Sequence, residues 1–145
     1  MLVTRSLQLA LPAVLAVALA GCASTGSVST TGLTGAQKQI ANTISNFQSD
    51  AETNSPSKIC SDDLAPSVVA ALSTGGHTCK QAITDQLKVV DSFNLSLANN
   101  AIKVTGNTAT AAVEDTNSGT TTHVDIVTLE KSGSTWKIAT FPSTS

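Results

Sequence analysis

An α+β fold, with helices first and an antiparallel meander after them, is what this sequence predicts. Three observations carry that expectation. From Thr34 to about Val89 the apolar residues recur with the 3.6 period of helices, and from Asp91 onward they recur with the period of 2 that belongs to strands. Short glycine-centred turn signals punctuate the second half, at Thr105-Gly106-Asn107 and Ser132-Gly133-Ser134.

The elements follow in order. Thr34-Gly-Ala-Gln37 is an S/T-x-x-E/Q capping box, and Ile40, Ile44, Phe47 and Ala51 make one apolar stripe on a helix of about 18 residues. Ser55-Pro56 starts a short helix carrying Ile59 and Cys60, because proline suits the first helical position. Pro66 starts another, through Leu72, with Val68, Val69 and Leu72 apolar. Gly75-Gly76 breaks the chain, and Thr78-Cys-Lys-Gln81 repeats the capping-box pattern ahead of Ala82, Ile83 and Leu87. In the strand region Phe93, Leu95 and Leu97 alternate with polar residues, as do Ile102 and Val104. Ala109, Ala111 and Val113 form the return strand, Thr121 to Glu130 a long third one, and Trp136, Ile138 and Thr140 the last.

The first residues are of another kind. One cation, Arg5, precedes Leu7 to Ala20, a stretch interrupted only by Gln8 and Pro12. It is shorter than the roughly 20 apolar residues a membrane-spanning helix needs, and it reads as a secretory signal. Its end, Leu19-Ala20-Gly21-Cys22, resembles the bacterial lipobox. That resemblance implies a diacylglyceryl group on the Cys22 thiol, cleavage just before it, and a palmitate-type anchor holding the mature chain on the membrane. Residues 1–21 are then the signal peptide, and residues 22–33 a flexible Ser/Thr/Gly tether. One folded α+β domain follows over residues 34–142. Two or more acyl chains hold a protein on a bilayer without help from a basic patch.

No such patch exists. Without the signal the chain keeps seven lysines against ten acidic residues, and the lysines are scattered singly. That distribution excludes the stripe needed to track a phosphate backbone, so nucleic acid is not expected as a partner. With Cys22 assigned to lipid, Cys60 and Cys79 remain, and outside the cytosol an even remainder reads as one disulfide. A zinc site built from Cys60, His77, Cys79 and His123 would match none of the usual ligand spacings, so neither a metal nor a cofactor is expected.

The long first helix, the helical stretch after it and a curved meander ending in Thr135-Trp136-Lys137-Ile138 resemble the nuclear transport factor 2-like superfamily. The look is that of small bacterial lipoproteins with this domain, carried by the lipobox, by Cys60 followed by Asp63-Leu-Ala-Pro66, and by Cys79 with Ala82. The resemblance implies helices packed on one face of a cone-shaped sheet, with an apolar pocket between the two layers. One feature departs from it: the superfamily often inserts a strand between its early helices, and no strand pattern stands between Ser55 and Thr78.

Enzymes of similar fold (ketosteroid isomerase, scytalone dehydratase, polyketide cyclases) place Asp, His, Tyr or Arg in that pocket, but fold alone does not fix function. Here there is no Tyr, no Arg after Arg5, and only two His. The one close constellation is His123 with Asp125, which at i, i+2 on a strand share a face, so that Asp125 could orient His123 as a general base. Val124 and Ile126 lie on the opposite face, and an apolar face that changes from them to Val127 and Leu129 points to a bend or bulge turning the pair outward. Asp62-Asp63 reads as the charged first turn of a helix. Phe47, Phe93 and Trp136 are the candidates for lining a ligand pocket, although a lone Trp near the end of a meander is ordinarily core, its indole N–H bonded to a carbonyl.

The expected protein is therefore a lipid-anchored, extracytoplasmic, non-catalytic binding module of the bacterial cell envelope. Its partner is an apolar small ligand or an envelope protein. The alternative is a small hydrolase or isomerase using His123 and Asp125. A pocket lined by carboxylate and imidazole would fit the enzyme, and one filled by Leu, Ile and Phe a purely structural envelope protein.

Overall fold

The computed structural model describes residues 28–90, 94–115 and 123–140. Cys22 and the signal, Phe93 and Phe141 lie outside the described residues. The architecture is α+β, helices before strands. α1 spans Gly35–Glu52, α2 is the single turn Pro56–Lys58, a π-helical turn follows over Ile59–Asp63, α3 is Pro66–Leu72 and α4 is Cys79–Leu87. The strands β1 (Leu95–Thr105), β2 (Thr108–Asp115), β3 (His123–Ser132) and β4 (Thr135–Thr140) form an antiparallel sheet in sequence order.

Both tight hairpins use the same device. Gly106 and Gly133 hold φ near +60° (60° and 63°) at the first of two loop residues, a backbone region open to glycine and costly for other residues. The pairs Thr105↔Thr108 and Ser132↔Thr135 close directly across them. A two-residue Gly-X loop twists with the strands it joins, so it fixes register as well as direction.

One face of the sheet is covered. Ala109, Ala111 and Val113 of β2, Val127 and Leu129 of β3, and Trp136 and Ile138 of β4 are buried, and they form one core with Ile40, Ala41, Ile44, Phe47 and Ala51 of α1. The apolar stripe read from α1 is thus the face laid on the sheet. Val28 is also buried in this core, so the chain joins the packed body six residues before Thr34, inside the segment assigned to the tether.

The region from Pro56 to Leu72 is helical, apart from one extended step, and turns lead from there to Thr78. Ala65 precedes Pro66, and the proline ring disfavours helical backbone at the residue before it. Leu64 and Ala65 are accordingly extended, Leu64 bridges Ile138 in parallel, and the Ala65 N–H donates to the Ile138 carbonyl at 2.8 Å. The edge of β4 is closed by this two-residue stub.

Three local expectations are corrected. First, the Thr34 side chain does not cap α1. Gly35 sits at φ +54°, which takes the first helical position out of the right-handed region, and Gln37 Nε2 donates to the Ile102 carbonyl of β1 at 3.3 Å instead of folding back. Second, β3 has no change of face beside β2. Its pairing runs without a break from Thr108↔Glu130 to Asp115↔His123, Val127 and Leu129 stay inward, and Val124 and Ile126 are 58% and 53% exposed on the outer face. The bulges lie elsewhere, between Leu97 and Ile102 on the β1 side and between Thr128 and Leu129 where β3 meets β4. Third, Asp62 and Asp63 close the π turn rather than open a helix.

Candidate functional site

Cys60, in the π turn, and Cys79, the first residue of α4, form a disulfide, with Cα atoms 6.2 Å apart. The bridge ties the turn that touches β4 to a helix that otherwise buries little, since Cys79 is the only buried residue of α4. Such a bond persists in oxidising surroundings, which fits an extracytoplasmic chain. Among the described residues no helix is long and apolar enough to cross a membrane, and no cluster of His, Cys, Asp and Glu could hold a metal ion.

The most unusual polar group lies three residues beyond the disulfide. Asp63 is 2% exposed, as deeply placed as the apolar residues around it, and its Oδ2 has no hydrogen-bond partner among the described residues. Burial pushes its carboxyl up to about 7, the nearby Asp50 and Asp62 add to the rise, and Lys137 and Lys58 oppose it. The lysines are otherwise engaged. Lys58 Nζ stands 3.6 Å from Asp50. Lys137 Nζ donates to the carbonyls of Ser61 and Asp62 at 2.8 and 2.6 Å, satisfying acceptors that the end of a helical turn leaves open. A carboxyl in this setting holds its proton near neutrality because a buried charge without a partner is costly.

Asp63 was not among the sequence candidates. Its signal was the spacing of four from Ile59, which is itself fully buried; read with that residue, Asp63 falls on the inward side of the turn. Among the described residues Gln48 of α1 is the other buried polar side chain, and its Nε2 donates to Glu52 Oε1 at 2.9 Å, one turn on.

The sequence-derived candidates are placed as follows. Phe47 and Trp136 are both in the core shared by α1 and the sheet. The Trp136 indole N–H meets no acceptor among the described residues, contrary to the carbonyl expected for it, while its own backbone carbonyl accepts from Thr43 Oγ1 at 3.2 Å. Phe93 lies outside the described residues. Asp125 pairs in register with Val113 and is half-buried on the core-facing side of β3, in line with Val127 and Leu129. His123 pairs with Asp115 at the start of the strand, and its side chain lies outside what is described.

An open depression of about 390 Å³ runs along α4, lined by His77, Lys80, Gln81, Thr84, Asp85 and Lys88. None of that lining is apolar. Lys88 donates to Asp85 there at 2.9 Å, and this hydrogen bond, with the lysine charge, holds the Asp85 carboxyl below the usual carboxylate range. No protein-family model, no curated protein and no solved structure matches this chain.

Proposed function

We propose that the chain is a lipid-anchored, extracytoplasmic module of the bacterial cell envelope that binds an envelope protein and transforms nothing. The observation that carries this reading is the two-sidedness of the sheet. One face is occupied by α1 and the core, and the other presents Val124 and Ile126, each more than half exposed, beside the smaller Ala112 of β2. Branched apolar side chains held out on a rigid sheet are the kind of surface a protein partner covers. The lipobox Leu19-Ala20-Gly21-Cys22 supplies the anchor, and the Cys60–Cys79 disulfide fits the compartment. The helix layer over a bulged meander supports the nuclear transport factor 2-like resemblance. The apolar packing between α1 and the sheet favours a partner at the surface over a small ligand in a pocket.

Mass spectrometry of the protein extracted from its own membrane tests the anchor: the expected N-terminal residue is Cys22 bearing a diacylglyceryl group. For the partner, a photo-crosslinking residue is placed at Ile126 and, as a control, at exposed Gln86 on α4, in the full chain in intact cells. A discrete protein adduct from position 126 and none from position 86 is expected. Equal labelling from both, or none from position 126, overturns the reading.

A further inference from the structure

The π turn is held in place from four directions, and the one buried carboxyl at its end is the weak member of that arrangement. On the β4 side, Lys137 Nζ grips the Ser61 and Asp62 carbonyls, and the Ala65 N–H donates to Ile138. α1 contributes Asp50, and α2 contributes Lys58, which is turned toward Asp50. α4 meets the turn through the disulfide-bonded Cys79. The turn itself contributes Asp62. The charges of Asp50 and Asp62 therefore repel a charge on Asp63, and the two lysines that oppose them each engage another acceptor. Its Oδ2 reaches neither water nor a donor among the described residues. It also lies at the C-terminal end of a helical turn, where open carbonyls disfavour negative charge.

We propose that Asp63 is a proton-operated catch: with its carboxyl protonated the π turn stays docked on β4, and loss of the proton releases Leu64 and Ala65 from Ile138. The deprotonated group has three routes to relief, and each undoes a contact of the docked state. Water can reach it only if the turn lifts. Lys137 keeps a third N–H but makes no ion pair with Asp63 in the docked turn, so pairing with it requires the turn to shift. Separation from Asp50 moves the turn off α1. The disulfide keeps the released turn tethered to α4, so the motion is bounded and reversible. A protein outside the cytosol meets the pH of its surroundings directly, and the catch would make the β4 edge, closed at low pH by the Leu64–Ala65 stub, available as pH rises.

The test is amide hydrogen exchange on the full chain between pH 5 and 9, read as the protection factor of the Ala65 N–H. The emission of Trp136, the single tryptophan, is followed in parallel as a reporter one residue from Lys137 on β4. Protection is expected to fall by up to about tenfold per pH unit from the low end of the range to about pH 7, where the released turn is ionised and the docked one is not, and to level off above it; Asp63→Asn should remove that step. His77 and His123 remain in this variant, so a step that survives the substitution belongs to them and overturns the proposal, as does a flat wild-type profile. If Asp63→Asn does not fold, carboxyl-carbon NMR titration of the wild-type chain decides instead. An Asp63 midpoint in the ordinary carboxylate range overturns the catch; one near neutrality, moving together with the Ala65 amide, supports it.

Discussion

α1 and α4 open on the same pattern, Thr-x-x-Gln, and are held to the protein by different forces. In α4 the pattern does what it promises: Gln81 N–H donates to Thr78 Oγ1 at 3.2 Å and Thr78 N–H donates to Gln81 Oε1 at 2.9 Å. In α1 it does not form, because Gly35 takes a left-handed conformation and Gln37 is drawn to a β1 carbonyl 65 residues away. The difference follows from burial. α1 sinks six residues below the surface, so contacts with the sheet decide its orientation and its start is free to adapt. α4 buries Cys79 alone and is fixed by local chemistry, a reciprocal cap and a covalent bond. Where packing is extensive a cap is dispensable; where packing is thin the cap and the disulfide carry the element.

That contrast can be broken at four points. The largest effect is expected in α1: Ile44→Ala, at a side chain 1% exposed, should cost about 4 kcal/mol in a urea unfolding curve, within the roughly 2–5 kcal/mol range of large-to-small core changes. A loss below about 1 kcal/mol would mean that α1 is not held by its stripe.

Next comes the disulfide. Replacing Cys60 and Cys79 together by Ala opens a link spanning 19 residues, for which chain entropy gives about 3 kcal/mol. The loss should concentrate in α4 and the π turn, read as faster amide exchange there than in α1. Uniform acceleration over the whole chain would contradict the division between the two helices.

The third lies at Asp63, in the turn that joins the two regimes. Its folded carboxyl is raised from 3.8 to about 7, so the folded state binds a proton that the unfolded state releases. The stabilising contribution is complete below pH 4, declines as pH rises between 4 and 7, and is gone above the folded value. At about 1.4 kcal/mol per unit the interval from 3.8 to about 7 sets a ceiling of roughly 4 kcal/mol; release of the charged turn into water lowers the expected fall to on the order of 2–3 kcal/mol, and unfolding curves of Asp63→Asn should lack it. Stability that rises over this window, with the difference from Asp63→Asn unchanged, would show the sign to be wrong.

The smallest effect sharpens the comparison most. Thr78→Ala should cost about 1 kcal/mol, as for a working N-cap, while Thr34→Ala should stay within about 0.5 kcal/mol, as at an ordinary surface site. Equal losses from the two substitutions would erase the distinction drawn between the helices.

How far the fold could be read varies along the chain for physical reasons. The stripe Ile40, Ile44, Phe47, Ala51 and the two Gly-X hairpins were legible because each is a repeat or a conformational need within a few residues. β3 misled for a related reason. Val124 and Ile126 are branched, and branching favours extended backbone whether or not the side chain is buried; their exposure shows that they serve the strand and not the core. Taking them as inward produced a change of face that the unbroken register with β2 does not contain. The pair Asp62-Asp63 misled because two adjacent acids look alike in sequence, while the turn sends one outward and buries the other.

By itself the sequence determined the order of elements and the positions of the hairpins, since periodicity and glycine conformation are properties of the chain. The expectation of a Cys60–Cys79 pair among three cysteines leaned instead on the lipobox resemblance of Leu19-Ala20-Gly21-Cys22. Tertiary structure alone decided which parity of β3 faces the core, which of the two capping patterns closes, and that Asp63 lies out of water beside Asp50. Each of these is a competition between a local partner and one distant in sequence. Gln37 could bond its own helix start or Ile102, and Asp63 could meet water or pack under α1. The outcome depends on distances that exist only once the sheet and α1 have come together.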